Sequence, residues 1–167
     1  MGTLDPTLCE QTDQALQEWR QGDCVLGAQW FLYRVDPAAP LTEAAIEAST
    51  EAYDNAEANV PGLMVASQTC DLVRGCGTRP FVEVCPLVDV DKDDLHQIER
   101  GRMPKHAFIP TLADLGLVAD LDRVMTVEKP VLAAWERVEG CKSDAQRRDL
   151  SRALARKRSR VAFPHQP

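Results

Sequence analysis

The chain has 167 residues, enough for one domain or one domain with a small appendage. Hydrophobic residues make up 44%, charged residues 27% and the net charge is −7, the balance of a globule that buries a core without staples. No apolar run approaches the roughly 20 residues of a membrane helix, and the N-terminus, MGTLDPTLCEQTDQ, has neither the basic start nor the apolar stretch of a signal peptide; the expectation is a cytoplasmic chain with no membrane partner.

Asp5-Pro6 supplies a cap and a first-turn proline, and Leu8, Leu16 and Trp19 mark the apolar side of a first helix ending at Gln21-Gly22. Residues 24–32 read as a first strand, long or bent at Gly27. Residues 36–59 open with Asp-Pro-Ala-Ala-Pro and are rich in Ala and Glu; they read as a mobile excursion from the core, with Thr42 as the cap of a short helix. Pro61-Gly62 opens a second strand over 63–67, and Gly75-Cys76-Gly77 is turn chemistry. After Pro80, FVEVCPLV is a third strand, with Pro86 arguing for an edge or a bulge.

Asp91 caps a short helix that carries Leu95 and Ile98 inward and stops at Gly101. The run Asp91-Lys92-Asp93-Asp94 is read as that helix's start, where carboxylates meet the positive end of the helix dipole, and not as a metal cluster. Residues 106–109 form a short strand, and 118–121 with 124–127 form two more or one interrupted strand. Pro130 begins a helix with Val131, Leu132 and Trp135, and Ser143 caps a last helix. Trp19, Trp30 and Trp135 are expected as anchors between elements.

The sum is an α+β fold: a small barrel or bent sheet, an N-terminal helix and a C-terminal helical pair. The division expected is a body over 1–129 and a basic helical appendage over 130–167. Charge follows a similar line. Residues 1–136 hold 10 Lys+Arg against 23 Asp+Glu, and residues 137–167 hold 9 against 3, so an acidic body of −13 carries a basic tail of +6. Such a tail can dock on its own body, on an acidic protein or on nucleic acid.

Chemistry concentrates in VPGLMVASQTCDLVRGCG, residues 60–77. An apolar strand surfaces into Ser67-Gln68-Thr69-Cys70-Asp71, which brings hydroxyls, an amide, a thiol and a carboxylate together on a loop held by a strand. Cys70 is the candidate nucleophile, His106 the base that would lower its pKa, and Asp71 or Asp120 the group that would orient the histidine. Ser67, Gln68, Thr69 and Arg74 are the candidate binding residues. The plain alternative is a turn in which Asp71 bonds backbone N–H groups and Cys70 only packs. Six cysteines, with no Cys-x-x-Cys pair, read as thiols in a reducing compartment. Zinc would need the loosely spaced set Cys70, Cys76, Cys85 and His106, so no metal and no cofactor is expected.

The order Gly22-Asp23, strand, long excursion, apolar strand ending Ala66-Ser67, turn, then Phe81-Val82-Glu83-Val84 resembles the PemK/MazF-type barrel over residues 22–88. The resemblance implies a small SH3-like barrel and a role in a toxin–antitoxin-like or defence-like system. Members cut single-stranded RNA by driving the ribose 2′-hydroxyl onto the neighbouring phosphate, with an arginine before a proline and a Ser/Thr after the strand. Here Val60 precedes Pro61, Ser67 and Thr69 fall at the polar end, and Arg34 or Arg74 would have to supply the cation. The expectation is therefore an accessory or effector protein that binds RNA or a protein partner through residues 67–71. Two alternatives stand beside it: a Cys70-dependent hydrolase or transferase assisted by His106, and a structural subunit docking through its basic C-terminal helix.

Overall fold

The computed structural model of the chain describes residues 6–33 and 55–159. Helix α1 spans Pro6–Ala15 and runs on into a 3-10 turn, Leu16–Glu18. Leu16 and Trp19 are buried as expected, but Leu8 is 48% exposed, and Thr12 is the buried residue of the helix. A long antiparallel hairpin follows, β1 (Cys24–Tyr33) and β2 (Asn55–Val65), in register from Cys24↔Met64 to Tyr33↔Asn55. The second strand therefore begins eight residues before the expected start, and Pro61 lies within it. Residues 34–54, which hold Arg34, Thr42 and most of the expected excursion, lie outside the described residues.

After β2 comes a single helical turn, α2 (Thr69–Leu72), then β3 (Phe81–Asp89), α3 (Lys92–Glu99) and β4 (His106–Phe108). Asp91 Oδ1 accepts the Asp94 N–H at 2.8 Å, so the acidic run is a helix cap. A 3-10 segment, Pro110–Leu115, leads to β5 (Leu117–Asp120) and β6 (Met125–Glu128). Helices α4 (Lys129–Ala133) and α5 (Asp144–Arg158) complete the chain, and Ser143 Oγ caps α5 by accepting the Gln146 N–H at 3.3 Å.

The six strands form one antiparallel sheet in the order β1-β2-β3-β5-β4, with β6 also paired to β3. The sheet is bent and does not close. β5 and β6 follow one another along β3 with residues 121–124 between them, from Asp89↔Leu117 to Phe81↔Glu128. Side chains alternate along each strand, and here both faces are covered. Cys24, Met64, Cys85 and Ala107 pack with Ile109, Leu150 and Leu154 under α5. Their neighbours Val25, Val65 and Val82 pack on the other side with Leu16, Trp19, Leu72 and Leu132. Trp30 joins Leu63 and Val84, with Trp135 against them. Two covered faces explain why the strands read as unbroken apolar runs. Cys24 and Cys85 are strand residues buried as small hydrophobes.

Gly22 and Asp23 sit where the two ends of the body meet. Gly22 has φ +93°, and a Cβ there would collide with Leu150 of α5. Asp23, 2% exposed, accepts the Arg20 N–H at 2.8 Å and the Arg137 guanidinium at 3.0 Å. The Gly-Asp pair is thus a clamp between β1 and the segment before α5. Among the described residues no helix is long and apolar enough to cross a membrane.

Candidate functional site

The polar run after β2 is built from two kinds of residue. Ser67 and Thr69 face the scaffold. Ser67 Oγ accepts the Glu83 N–H at 2.8 Å, tying the run to β3, and Thr69 Oγ1 accepts the Gln21 N–H at 3.1 Å. The Gln21 side chain closes the joint by donating to Ala66 O at 2.9 Å and accepting from Ser151 Oγ of α5 at 2.7 Å. Gln68, Cys70, Val73 and Arg74 are exposed. Cys70 Sγ donates to Gln68 Oε1 at 3.5 Å, and Asp71 pairs with Arg74 at 3.3 Å.

Beneath this turn lies a residue that sequence reasoning passed over. Lys129, the first residue of α4, is 0% exposed. Its Nζ donates to Asp71 O at 2.9 Å and also to Arg74 O. A charge is taken out of water to satisfy carbonyls at the end of α2, where the helix has no partners of its own for them. Burial pushes the lysine below its ordinary pKa of 10.5, with Asp13, Cys76 and Asp71 pulling it back and Arg79 adding to the fall. Asp13 of α1 fixes the other end of the turn by accepting the Cys76 N–H at 2.7 Å. Burial, then the thiol and charge of Cys9, then Asp13 push the Cys76 thiol above 9.0. The only sequence signal for Lys129 is a lysine at the first position of an apolar helix, a pattern common to solvated lysines.

His106 lies elsewhere. It stands on β4, facing a cavity of about 550 Å³ between the end of α3, β4 and one face of α5. Its Nδ1 is closed to solvent and has no hydrogen-bond partner. Burial and Lys105, with Arg123, lower the imidazole's pKa from 6.5, Asp120 and Asp94 opposing them, which favours the neutral ring. The structure does not bring Cys70 and His106 together. Cys70 is not among the residues that line the His106 cavity, and no hydrogen bond or ion pair between described residues joins the two. The thiol's bond goes to Gln68, and Asp71's partner is Arg74. Among the described residues no group of three or more His, Cys, Asp or Glu side chains is placed to hold a metal ion.

The basic tail is paired partly within itself and partly with the body. Arg147 pairs with Glu139 at 3.0 Å and Asp144 at 3.1 Å, Arg152 with Asp149 at 2.9 Å, Lys157 with Asp122, and Arg158 with Glu83 of β3. No family model, curated protein or solved structure matches the chain.

Proposed function

We propose that this chain is an accessory or effector protein that acts by binding, and that its binding face is the turn from Gln68 to Arg74. The toxin–antitoxin-like or defence-like setting rests on the resemblance of residues 22–88. The observation that carries the binding reading is Lys129. A fully buried lysine held by two turn carbonyls is costly to keep. What it supports is a turn whose Gln68, Cys70, Val73 and Arg74 are presented outward on a fixed backbone, and pre-organisation lowers the entropic cost of docking.

A protein partner fits this face better than RNA. Arg74 at this face is paired with Asp71, and four cationic side chains of α5 are paired with carboxylates, which leaves those groups less available for phosphates. Thiol catalysis has less support, because the hydrogen bond of Cys70 goes to an amide and not to a base. The test is a photo-crosslinker placed at position 68 in native cells, with the same group at exposed Lys92 as control. One discrete protein adduct at 68 and none at 92 is expected. Identical adduct patterns at both positions, or an adduct at 68 that is RNA, would contradict the reading.

A further inference from the structure

The cavity beside His106 belongs to neither the turn nor its proposed partner. Its walls are apolar on several sides: Ile98 of α3, Met103, Phe108 of β4 and Leu150 of α5. Its volume, about 550 Å³, falls within the roughly 300–1,000 Å³ of small-molecule sites. Arg100, Arg152 and Arg156 stand around it with the carboxylates Glu99 and Asp149. These charges are not equally free. Glu99 is 3.7 Å from His96, Asp149 is paired with Arg152, and Arg156 donates to Gly101 O at 3.0 Å. Among the described residues none pairs with the Arg100 guanidinium, which leaves a surplus of one positive charge at the rim. Within the wall, the imidazole of His106 offers a polar handle whose Nδ1 bonds to nothing, an arrangement that native interiors rarely leave unfilled.

We propose that this cavity binds a small organic monoanion with an apolar body: the body lies against Ile98, Met103, Phe108 and Leu150, the charge meets Arg100 and the guanidinium groups of α5, and a polar atom on the body pairs with His106 after its ring turns. An uncharged ligand of the same shape leaves Arg100 unused. A polyanion meets Glu99 and Asp149 at the same rim. The site is independent of the Gln68–Arg74 face, so failure of one leaves the other standing.

The probe is 8-anilinonaphthalene-1-sulfonate, an aryl monoanion, titrated into the full chain at pH 7, with N-phenyl-1-naphthylamine as its uncharged counterpart. One site per chain is expected, with the sulfonate binding more tightly than the amine. Arg100→Ala weakens the sulfonate by roughly two- to fivefold and leaves the amine unchanged. Met103→Trp narrows the cavity and weakens both. Because Met103→Trp could perturb folding, the parent protein is also followed by NMR during the titration. Resonances of residues 98–110 and 146–156, including the His106 ring, are expected to move. Shifts centred on 67–74 or scattered over the surface overturn the proposal. Equal affinity for the two dyes, indifferent to Arg100→Ala, overturns it as well.

Discussion

Cys70 and Lys129 sit on opposite sides of the same few residues, and each has its own test. Of the six cysteines, Cys70 is exposed, Cys9 is half-buried, and Cys24, Cys76, Cys85 and Cys141 are buried. In the native protein a thiol reagent such as dithionitrobenzoate is expected to titrate Cys70 first and Cys9 more slowly. The other four should react only on unfolding, and a native count of four or more fast thiols would contradict this packing. Burial pushes the Cys141 thiol up to about 11, against an ordinary value of 9.0. The folded state therefore holds this proton longer than the unfolded chain. Its stability contribution is full below pH 9 and is lost as pH rises through 11. Lys129 acts in the opposite sense, because its folded pKa is lowered and its buried charge is relieved on the way to 10.5. Comparing the parent with Cys141→Ala cancels the lysine: the variant should lose less stability between pH 9 and 11, and parallel curves would show that the thiol is not buried when ionised. At this scale the sequence was only partly legible. Ser67 to Asp71 stand out as polar residues at a strand end, and strand alternation sets Ser67 and Thr69, which bond backbone on β3 and before β1, apart from Gln68 and Cys70, which face outward. The partners themselves, and Lys129 beneath them, carry no local signal.

Among the elements, α5 combines two roles. It is rich in arginine, and Leu150, Ala153 and Leu154 on one face point to packing on the body; Leu150 and Leu154 do lie in the core with Met64 and Ile109. Fully burying a leucine contributes about 1.5–3 kcal/mol, whereas an exposed ion pair contributes about 0–1 kcal/mol. The apolar face therefore dominates. A chain cut after Gly140 is expected to lose its cooperative thermal transition. Arg158→Gln, which removes the pair with Glu83, should cost less than about 1 kcal/mol at low salt, and less still in 1 M salt. A truncated chain that unfolds at the parent temperature would overturn this order of effects. The caps at Asp91 and Ser143 and the strand at 81–88 are legible because caps and apolar runs are local signals, and the run at 63–67 marks only the C-terminal end of β2. The start of β2 was missed because residues 55–60 have little apolar character of their own and owe their strand form to pairing with β1, from Tyr33↔Asn55 to Ala28↔Val60.

In the whole molecule, a bent sheet covered on both faces keeps two polar regions apart, the turn on the α1 side and the cavity on the α5 side. The α+β class, the neighbouring strands 63–67 and 81–85 and the flanking helices could be read from hydrophobic runs and breakers. That Cys70 lies outside the His106 cavity could not, because it depends on where the long-range strand pairing carries each segment. The central claim is that Lys129 holds the Gln68–Arg74 turn in place from beneath. Lys129→Met keeps the length of the side chain but strands the carbonyls of Asp71 and Arg74. The lost charged hydrogen bonds, about 1.5–3 kcal/mol each, are partly offset because no charge is then buried. Amide hydrogen exchange reads the outcome directly. In Lys129→Met, the amides of Leu72, Val73, Thr78 and Arg79, which bond Gln68 O, Thr69 O and Gly75 O within the turn, are expected to exchange at least tenfold faster, about 1.4 kcal/mol of lost local protection. The amides of Ala107 and Ala119 in the paired strands β4 and β5 should keep their parent rates. Unchanged exchange in the turn, or an equal rise in turn and sheet, would contradict the claim.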